Sequence, residues 1–471
     1  MTSQRLALIS SLLTGAAITS SSLAFHLPTT TTFRRPATLS SLGNNNKQRS
    51  QQSIVALQQY PIDISENAPR DTVTVTDWAI NYGIQLSDTF QLTTTQLLED
   101  GGGNNNDDVY ITTNQNIPPE TPLLSIPSDL ILTGSKSRQE LGSPTYGAEQ
   151  QSLPLSDHQT FYLFLKILRE YELGDQSPWY YWLNSLPRYY SNGASMTDFC
   201  FGCLPPYAAG LALAEKTRYK QFREVLDNIS FLNTMEDEST YEEVTKWAFN
   251  VVFTRYMEMP GGDCCIVPMV DYLNHGSDAN VYITYDDTGN CYVYSTRDVM
   301  ATEPLVFAYG DSSNPSNLLA RYGFLDESSP GTFCKYVIEN PTFEMFNLGY
   351  PNSMLFYNDG SISNEVWDVL LYELLKGDEQ QAFYNAHMNG DEGTKQYYHE
   401  QYFPQTLAVL QKHVDYLVNE LDDLSESSWR KTFRKDENRH PRLPLILRHN
   451  NFVRGIFELV QQNLDGMMAA S

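Results

Sequence analysis

The residues best suited to chemistry lie in the second half of the chain, where polar clusters follow apolar segments. They are Asp271, Asn274, His275, Tyr309, Tyr322 and Phe324. A tyrosine ring is rigid, and its hydroxyl accepts or donates a hydrogen bond at one point, so such residues can shape a channel and orient a nucleophile. The apolar runs 266–270 and 306–308 predict the strands that deliver the first two clusters. We therefore expect strands distant in the chain to converge on one site.

The order and spacing of these motifs resemble the C-terminal half of a SET domain, the fold of many S-adenosylmethionine-dependent protein methyltransferases. Three motifs carry the resemblance: Asn274-His275, Tyr309-Gly310 and Tyr322-Gly323-Phe324. They are most similar to those of the Rubisco large-subunit methyltransferase family and of its relative that methylates an actin histidine. The resemblance spans roughly residues 76–424 and is sharpest across 247–326.

The resemblance implies a role for each residue and S-adenosylmethionine as the cofactor. Asn274, His275 and Tyr309 would bind the cofactor, and Tyr309 would also be the catalytic residue that orients the target nitrogen. Four further residues would bind the substrate: Arg255, Asp271, Tyr322 and Phe324. The residue types alone leave other roles open. Tyr309 could pack on the core, Asp271 could cap a turn, Arg255 could be a surface arginine with a buried stem, and His275 need not exchange protons.

Methyl transfer from a sulfonium to nitrogen needs an unprotonated nucleophile aligned with the S–CH₃ bond and shielded from water. A free lysine, with a pKa near 10.4, is only about 0.1% neutral at physiological pH. A narrow aromatic channel favours the neutral amine by desolvation, and an adjacent sulfonium disfavours a second positive charge. A small change in such a channel would accommodate imidazole, so a histidine substrate remains an alternative to lysine.

The predicted fold class is α+β: a SET domain of short β-sheets with a helical insertion, followed by an all-α C-terminal substrate-binding domain. We place the N-terminal part of the SET domain at 70–130, the insertion at 131–245, the C-terminal part at 246–328 and the helical domain at 335–471. Strands are predicted at 109–112 and 121–127, and a hairpin at 281–285 and 291–295.

Three helical patterns complete the prediction. A helix is expected to start near Thr76 and to stop at Gly83. A capping box of Thr240 and Glu243 predicts the start of another helix, which runs to Arg255. The leucine-rich pattern over 405–424 suits a bundle face better than a coiled coil, because it spans only about two heptads.

The weakest part of the resemblance is the expected cofactor loop. A compact Gly-x-Gly turn is usual there, whereas this chain has Gly101-Gly102-Gly103 followed by asparagines and aspartates. Glycines permit a close backbone approach, but a Gly/Asn run also suits a flexible loop. A non-catalytic SET-like binding module is therefore a further alternative.

The first sixty residues carry five basic residues and no acidic one. An apolar run over 6–18 and the small residues at 22–24 predict a signal peptide at 1–24. The stretch 25–60 is acid-free and resembles a transit peptide, so we expect a bipartite presequence and a plastid destination. Simple secretion is the alternative.

Charge and cysteine content limit the partners. The formal net charge is −26, or −31 without the first sixty residues, which argues against non-specific nucleic-acid binding. It suits a protein substrate with a positive segment, and equally it suits solubility. Six cysteines, with one isolated C-x-x-C at Cys200 and Cys203, predict buried thiols rather than a disulfide framework or a metal site. We expect no membrane contact in the mature form, and the sequence does not define an oligomeric state.

Overall fold

The computed structural model describes residues 62–95, 108–142, 149, 152–229, 238–432 and 439–470. The predicted presequence (1–60) and the predicted cofactor loop (101–106) lie outside these ranges. No helix in the described part of the chain combines the length and apolar character that crossing a membrane requires.

The helices within the described ranges are α1 Thr74–Asn81, α2 Gly134–Leu141, α3 His158–Leu173, α4 Tyr180–Ser185, α5 Asp198–Phe201, α6 Pro206–Asp227, α7 Glu238–Arg255, α8 Pro315–Tyr322, α9 Phe343–Asn347, α10 Asn364–Leu374, α11 Gly377–Asn389, α12 Glu392–Thr432 and α13 Leu443–Ala470. The strands are β1 Gln85–Leu86, β2 Phe90–Thr95, β3 Asp108–Thr113, β4 Pro122–Ile126, β5 Leu132–Thr133, β6 Met257–Glu258, β7 Cys264–Ile266, β8 Asn274–His275, β9 Val281–Tyr285, β10 Cys291–Ser295, β11 Val306–Phe307, β12 Gly331–Phe333 and β13 Leu355–Tyr357.

The strands form small sheets. An antiparallel sheet has the order β1-β4-β10-β9, β5-β7-β6 is a second, and β2-β3 and β12-β13 are pairs. The predicted hairpin is confirmed as β9 and β10, with Cys291 paired to Tyr285. Its turn is fixed because the Asp286 carboxylate accepts hydrogen bonds from the backbone N–H groups of Thr288 and Asn290, and because Gly289 supplies a φ of +80°.

A parallel pair, β8 and β11, joins the two predicted clusters. Asn274 pairs with Val306, and His275 pairs with Phe307. The strands pack closely, since a Cβ at Gly276 would lie 2.6 Å from a methyl group of Val306. Segments about thirty residues apart in the chain therefore end side by side, as the apolar patterns predict.

Helices fill the region between the two β-rich parts. Helix α3 is buried on nearly every face, and its Phe161 and Phe164 rings meet Phe222 of α6. The predicted capping box is wrong: α7 starts at Glu238, so Thr240 lies inside the helix. The helix still ends at Arg255, as predicted.

The C-terminal region is a helical bundle with its own core, joined to strands β12 and β13. Leu407, Leu410 and Val414 of α12 are fully buried there. These residues pack against α10 and α13, which confirms the bundle face and not the coiled coil. The fold class is α+β, as predicted, although strand β13 lies within the region 335–471 that is predicted to be all-α. The predicted domain boundaries remain predictions, and helix α7 runs through the boundary predicted at residue 245.

Candidate active site

Tyr309 lies at the centre of the site, directly after β11. Its hydroxyl donates a hydrogen bond to the carbonyl oxygen of Leu273 at 2.5 Å. Its backbone N–H donates to Nδ1 of His275 at 3.1 Å, and its own carbonyl accepts from the Tyr322 hydroxyl at 3.1 Å. Three of the predicted residues are therefore tied to one another through this tyrosine.

Aromatic rings surround Tyr309. Its ring centroid lies 5.0 Å from that of Tyr322 and 6.1 Å from that of Phe324, and His275 lies 5.5 Å from Phe324. Helix α8 ends at Tyr322, and Gly323 turns the chain with a φ of +82°. A Cβ at Gly323 would lie 2.7 Å from the backbone nitrogen of Asn192. The glycine between the two aromatic residues is thus required by both backbone conformation and close approach.

His275 is a neutral positioning residue. Its Nδ1 accepts a hydrogen bond, so the ring proton is on Nε2, which lies 3.3 Å from Oδ2 of Asp326 without good hydrogen-bond alignment. Burial lowers the pKa of His275, while Asp326 opposes that shift. The side chain is 2% exposed. Nothing in this geometry requires the ring to exchange protons, which agrees with the sequence expectation.

Asn274 projects towards the start of β3. Its Nδ2 donates to Oδ2 of Asp108 at 2.9 Å. Asp108 follows the segment that contains the predicted cofactor loop, so the structure brings the described edge of that loop next to the Asn-His motif.

Arg255 and Asp271 form a buried ion pair. The Arg255 Nε donates to Oδ2 of Asp271 at 3.1 Å, and the indole N–H of Trp182 donates to the same oxygen at 3.1 Å. The Arg255 side chain is 11% exposed and that of Asp271 is fully buried. Burial raises the pKa of Asp271, and Arg255 and Trp182 counteract it. Arg255 is therefore not a surface arginine with a buried stem.

Two cavities adjoin these residues. The first, of about 540 Å³, is lined by Asn274, His275, Phe324, Asp108 and Arg70 among others. The second, of about 800 Å³, is lined by Leu273, Ala308 and Tyr256 among others. The residues that line both cavities are Thr254, Arg255, Asp271, Tyr309 and Tyr322. These five residues form a wall that both cavities share.

Burial is the main cause of the pKa shifts of the two tyrosine hydroxyls in the wall. It raises the pKa of the Tyr309 hydroxyl, with Arg255 opposing. It likewise raises the pKa of Tyr322, with Arg321 opposing. Both hydroxyls are therefore neutral at physiological pH, and neither is suited to act as a general base.

Several residues of the site carried no recognisable sequence signal. Arg70 lines the first cavity and donates from Nε to the Ser185 carbonyl at 2.8 Å, and burial lowers its pKa. The indole N–H of Trp182 binds Asp271, and no sequence motif marks this tryptophan. Asp108 and Asp326 lie among ordinary loop carboxylates. Only tertiary contacts distinguish these residues from their neighbours.

Of the cysteines, Cys264 lines the second cavity. Cys200 and Cys203 are buried and are not joined in a disulfide, as predicted. Among the described residues, no group of three or more His, Cys, Asp or Glu side chains could hold a metal ion.

Residues 108–310 match the family model described as "SET domain". A search of curated proteins gave no match. Among solved structures, the SET domain of LSMT bound to lysine and AdoHcy is similar with a TM-score of 0.56 at 13% identity, over 84% of this chain and 91% of that one. Rubisco LSMT bound to AdoMet gives a TM-score of 0.54 at 15% identity, over 86% and 92%. Rubisco LSMT bound to sinefungin and monomethyllysine gives 0.53 at 14% identity, over 84% and 92%.

Proposed function

From its SET domain and the fold it shares with the Rubisco LSMT structures, we propose that this chain is an S-adenosylmethionine-dependent protein N-methyltransferase that acts on lysine. One observation carries the proposal: Tyr309 and Tyr322 line both of two adjoining cavities. A methyl donor in one cavity and a side-chain nitrogen in the other would meet at the same two tyrosines, which provides the proximity that methyl transfer requires.

The first cavity fits the cofactor. Its volume of about 540 Å³ is in the range of small-molecule sites. The Asn274 carboxamide and the Asp108 carboxylate can accept hydrogen bonds from an amino acid ammonium group. The Arg70 guanidinium can pair with the carboxylate of the cofactor, and the Phe324 ring offers an apolar face. When bound, the cofactor supplies a methyl group on a sulfonium sulfur. The similar solved structures were determined with AdoMet, AdoHcy or sinefungin bound.

Tyr309 orients the nucleophile through its oxygen. The single hydroxyl proton is committed to the Leu273 carbonyl at 2.5 Å. The oxygen lone pairs are therefore available to accept a hydrogen bond from a target amine or to contact a polarised methyl group. Because burial raises its pKa, the hydroxyl stays neutral and does not remove the proton of the amine. The amine has to enter the site unprotonated, and desolvation in a buried aromatic channel favours that form.

Lysine is proposed as the target because two of the similar structures contain lysine or monomethyllysine. The acidic charge of this chain suits a substrate segment that is basic. Histidine methylation on the same scaffold is the alternative, since neutral imidazole also presents an unprotonated nitrogen.

The experiment is incubation of the protein with methyl-labelled S-adenosylmethionine and a plastid lysate, followed by acid hydrolysis and chromatography of the labelled amino acids. Label in methyllysine supports the proposal. Label found only in methylhistidine would support the alternative of histidine methylation. Calorimetry with S-adenosylmethionine tests the alternative that the chain is a non-catalytic binding module. The absence of both cofactor binding and label would contradict methyltransferase activity.

The site of action proposed here is the plastid, on the basis of residues 1–60. Fusion of those residues to a fluorescent protein in an alga with secondary plastids tests it. Plastid fluorescence is the expected result, and fluorescence in the secretory pathway would contradict it. Neither outcome bears on the reaction itself.

A further inference from the structure

A separate cavity of about 420 Å³ lies between the first turn of α6, the segment after β12, and helices α12 and α13. Its walls are mainly apolar and aromatic, and include Pro206, Tyr207, Val453 and Phe457. None of the residues that line it belongs to the two cavities at Tyr309. The volume suits a small organic ligand.

Lys335 lines this cavity and is unusual in two respects. It is 6% exposed, and no carboxylate of the described residues lies within ion-pair distance of its ammonium group. Its backbone also has a φ of +60°, which is uncommon for a residue other than glycine. A buried cation without a counter-charge and a left-handed backbone both oppose folding. Their coincidence at one residue that borders a cavity indicates a functional reason for the arrangement.

Neutral hydrogen-bonding groups hold the amine in place. Nζ donates to the Ser316 hydroxyl at 2.5 Å and lies 4.6 Å from the centre of the Tyr207 ring. Ser316 is also 2.9 Å from Nε2 of His449, whose Nδ1 is 3.2 Å from Oδ1 of Asn450. Burial lowers the pKa of His449 to about 3, so that ring is neutral. The amine is thus placed against a hydroxyl that can relay a proton.

This environment favours a nucleophilic amine. Burial lowers the pKa of Lys335 to about 7, opposed by Cys334. The unprotonated fraction of Lys335 at neutral pH is therefore larger than that of an ordinary lysine, which is about 0.1% or less. The cavity mouth has exposed Glu339 and partly exposed Glu420, which disfavour an anionic ligand. A neutral, apolar carbonyl compound fits both the walls and the charge pattern.

We infer that this cavity binds an apolar aldehyde and that Lys335 holds it as an imine. The Nζ lone pair forms a bond to the carbonyl carbon, and the carbon–oxygen bond then breaks. The carbonyl oxygen departs as water with the two amine protons, so no oxidant or reductant is consumed. Ser316 can transfer one of those protons, because it contacts Nζ directly. The site is distinct from the proposed methyl-transfer site, and its test does not depend on that activity.

The test uses the full chain with benzaldehyde at pH 7.5 and cyanoborohydride, which reduces an imine to a stable benzyl-lysine. Peptide mapping compares the labelling of Lys335 with that of Lys412, an exposed lysine of helix α12. We expect Lys335 to be labelled at least about tenfold faster than Lys412, owing to its larger neutral fraction. Equal or slower labelling of Lys335 would overturn the inference.

The pH dependence of labelling and a substitution of Ser316 give a second measurement. The titratable groups facing Lys335 or the cavity are Cys334, Tyr207, Tyr336, Glu339, His413, Tyr416, Glu420 and His449. We expect Lys335 labelling to rise with a midpoint near pH 7 and to be slowed by Ser316→Ala. A midpoint near that of Lys412 would contradict the inference. So would tight binding of benzoate in calorimetry without any imine, which would identify an anion site instead.

Discussion

Removal of the Tyr309 hydroxyl tests the proposed chemistry most directly. In Tyr309→Phe the ring keeps its contacts with Phe307, Tyr322 and Phe324. The variant loses the hydrogen bond to the Leu273 carbonyl, which should lower the free energy of unfolding by about 1 kcal/mol. It also loses the oxygen that would accept from the target nitrogen. Loss of one preorganised polar contact to a transition state reduces kcat by about 100-fold or more. A change of 1 kcal/mol in stability leaves nearly all molecules folded and does not account for such a loss.

The assay is the initial rate of methyl transfer from labelled S-adenosylmethionine to a plastid lysate, with cofactor affinity measured separately by calorimetry. Tyr322→Phe is the matched control, since it also deletes one tyrosine hydroxyl in the same wall, one that binds the Tyr309 carbonyl. We expect a loss of less than about tenfold for Tyr322→Phe, because this hydroxyl binds the Tyr309 carbonyl and is not the oxygen proposed to accept from the target nitrogen. Rates for Tyr309→Phe within a factor of three of the wild type would refute the role of the oxygen.

Three further predictions concern stability. Asp271→Asn leaves the buried Arg255 guanidinium without its anionic partner and should lower the free energy of unfolding, measured with denaturant, by about 3 kcal/mol. As a control, Glu327→Gln breaks an exposed pair with Arg448 and should lower it by less than about 1 kcal/mol. Equal losses in the two variants would contradict the burial argument. Since the folded-state pKa of His449 is depressed to about 3, the unfolded chain binds more protons between pH 6.5 and 3, and stability falls as pH decreases through that window. His449→Gln should reduce that slope by up to about 1.4 kcal/mol per pH unit, and an unchanged slope in chemical denaturation would argue against a neutral His449. Gly323→Ala should destabilise the protein by about 1–3 kcal/mol, because Gly323 has a positive φ and lies close to Asn192. As a control, Gly455→Ala changes an open position of α13 and should stabilise the protein by up to about 1 kcal/mol.

Local patterns in the sequence predicted the elements that depend on local interactions. The β9–β10 hairpin follows from alternation around an Asp-Asp-Thr-Gly-Asn turn, and the bundle face of α12 follows from leucines at helical spacing. The capping box predicted at Thr240 was wrong, because a Thr-x-x-Glu pattern also occurs inside a helix.

The motif residues were predictable as a set, because strand ends and a helix end with a glycine position them. Asn274, His275, Tyr309, Tyr322 and Phe324 all lie around one cavity wall or its margins. The pairing of Asp271 with Arg255 was not predicted. It depends on the end of α7 lying beside the turn before β8, a contact between segments sixteen residues apart that no pattern encodes.

The sequence by itself therefore determined the fold class, the SET resemblance and the identity of the central tyrosine, since each depends on residue type and spacing along the chain. Only the tertiary structure decided which polar groups are buried, which share a wall, and which titrate abnormally. The physical reason is that burial and charge pairing depend on the whole surrounding volume. Trp182, Arg70 and Lys335 are ordinary residues in the sequence, and they acquire their roles from segments that in two of the three cases lie more than a hundred residues away.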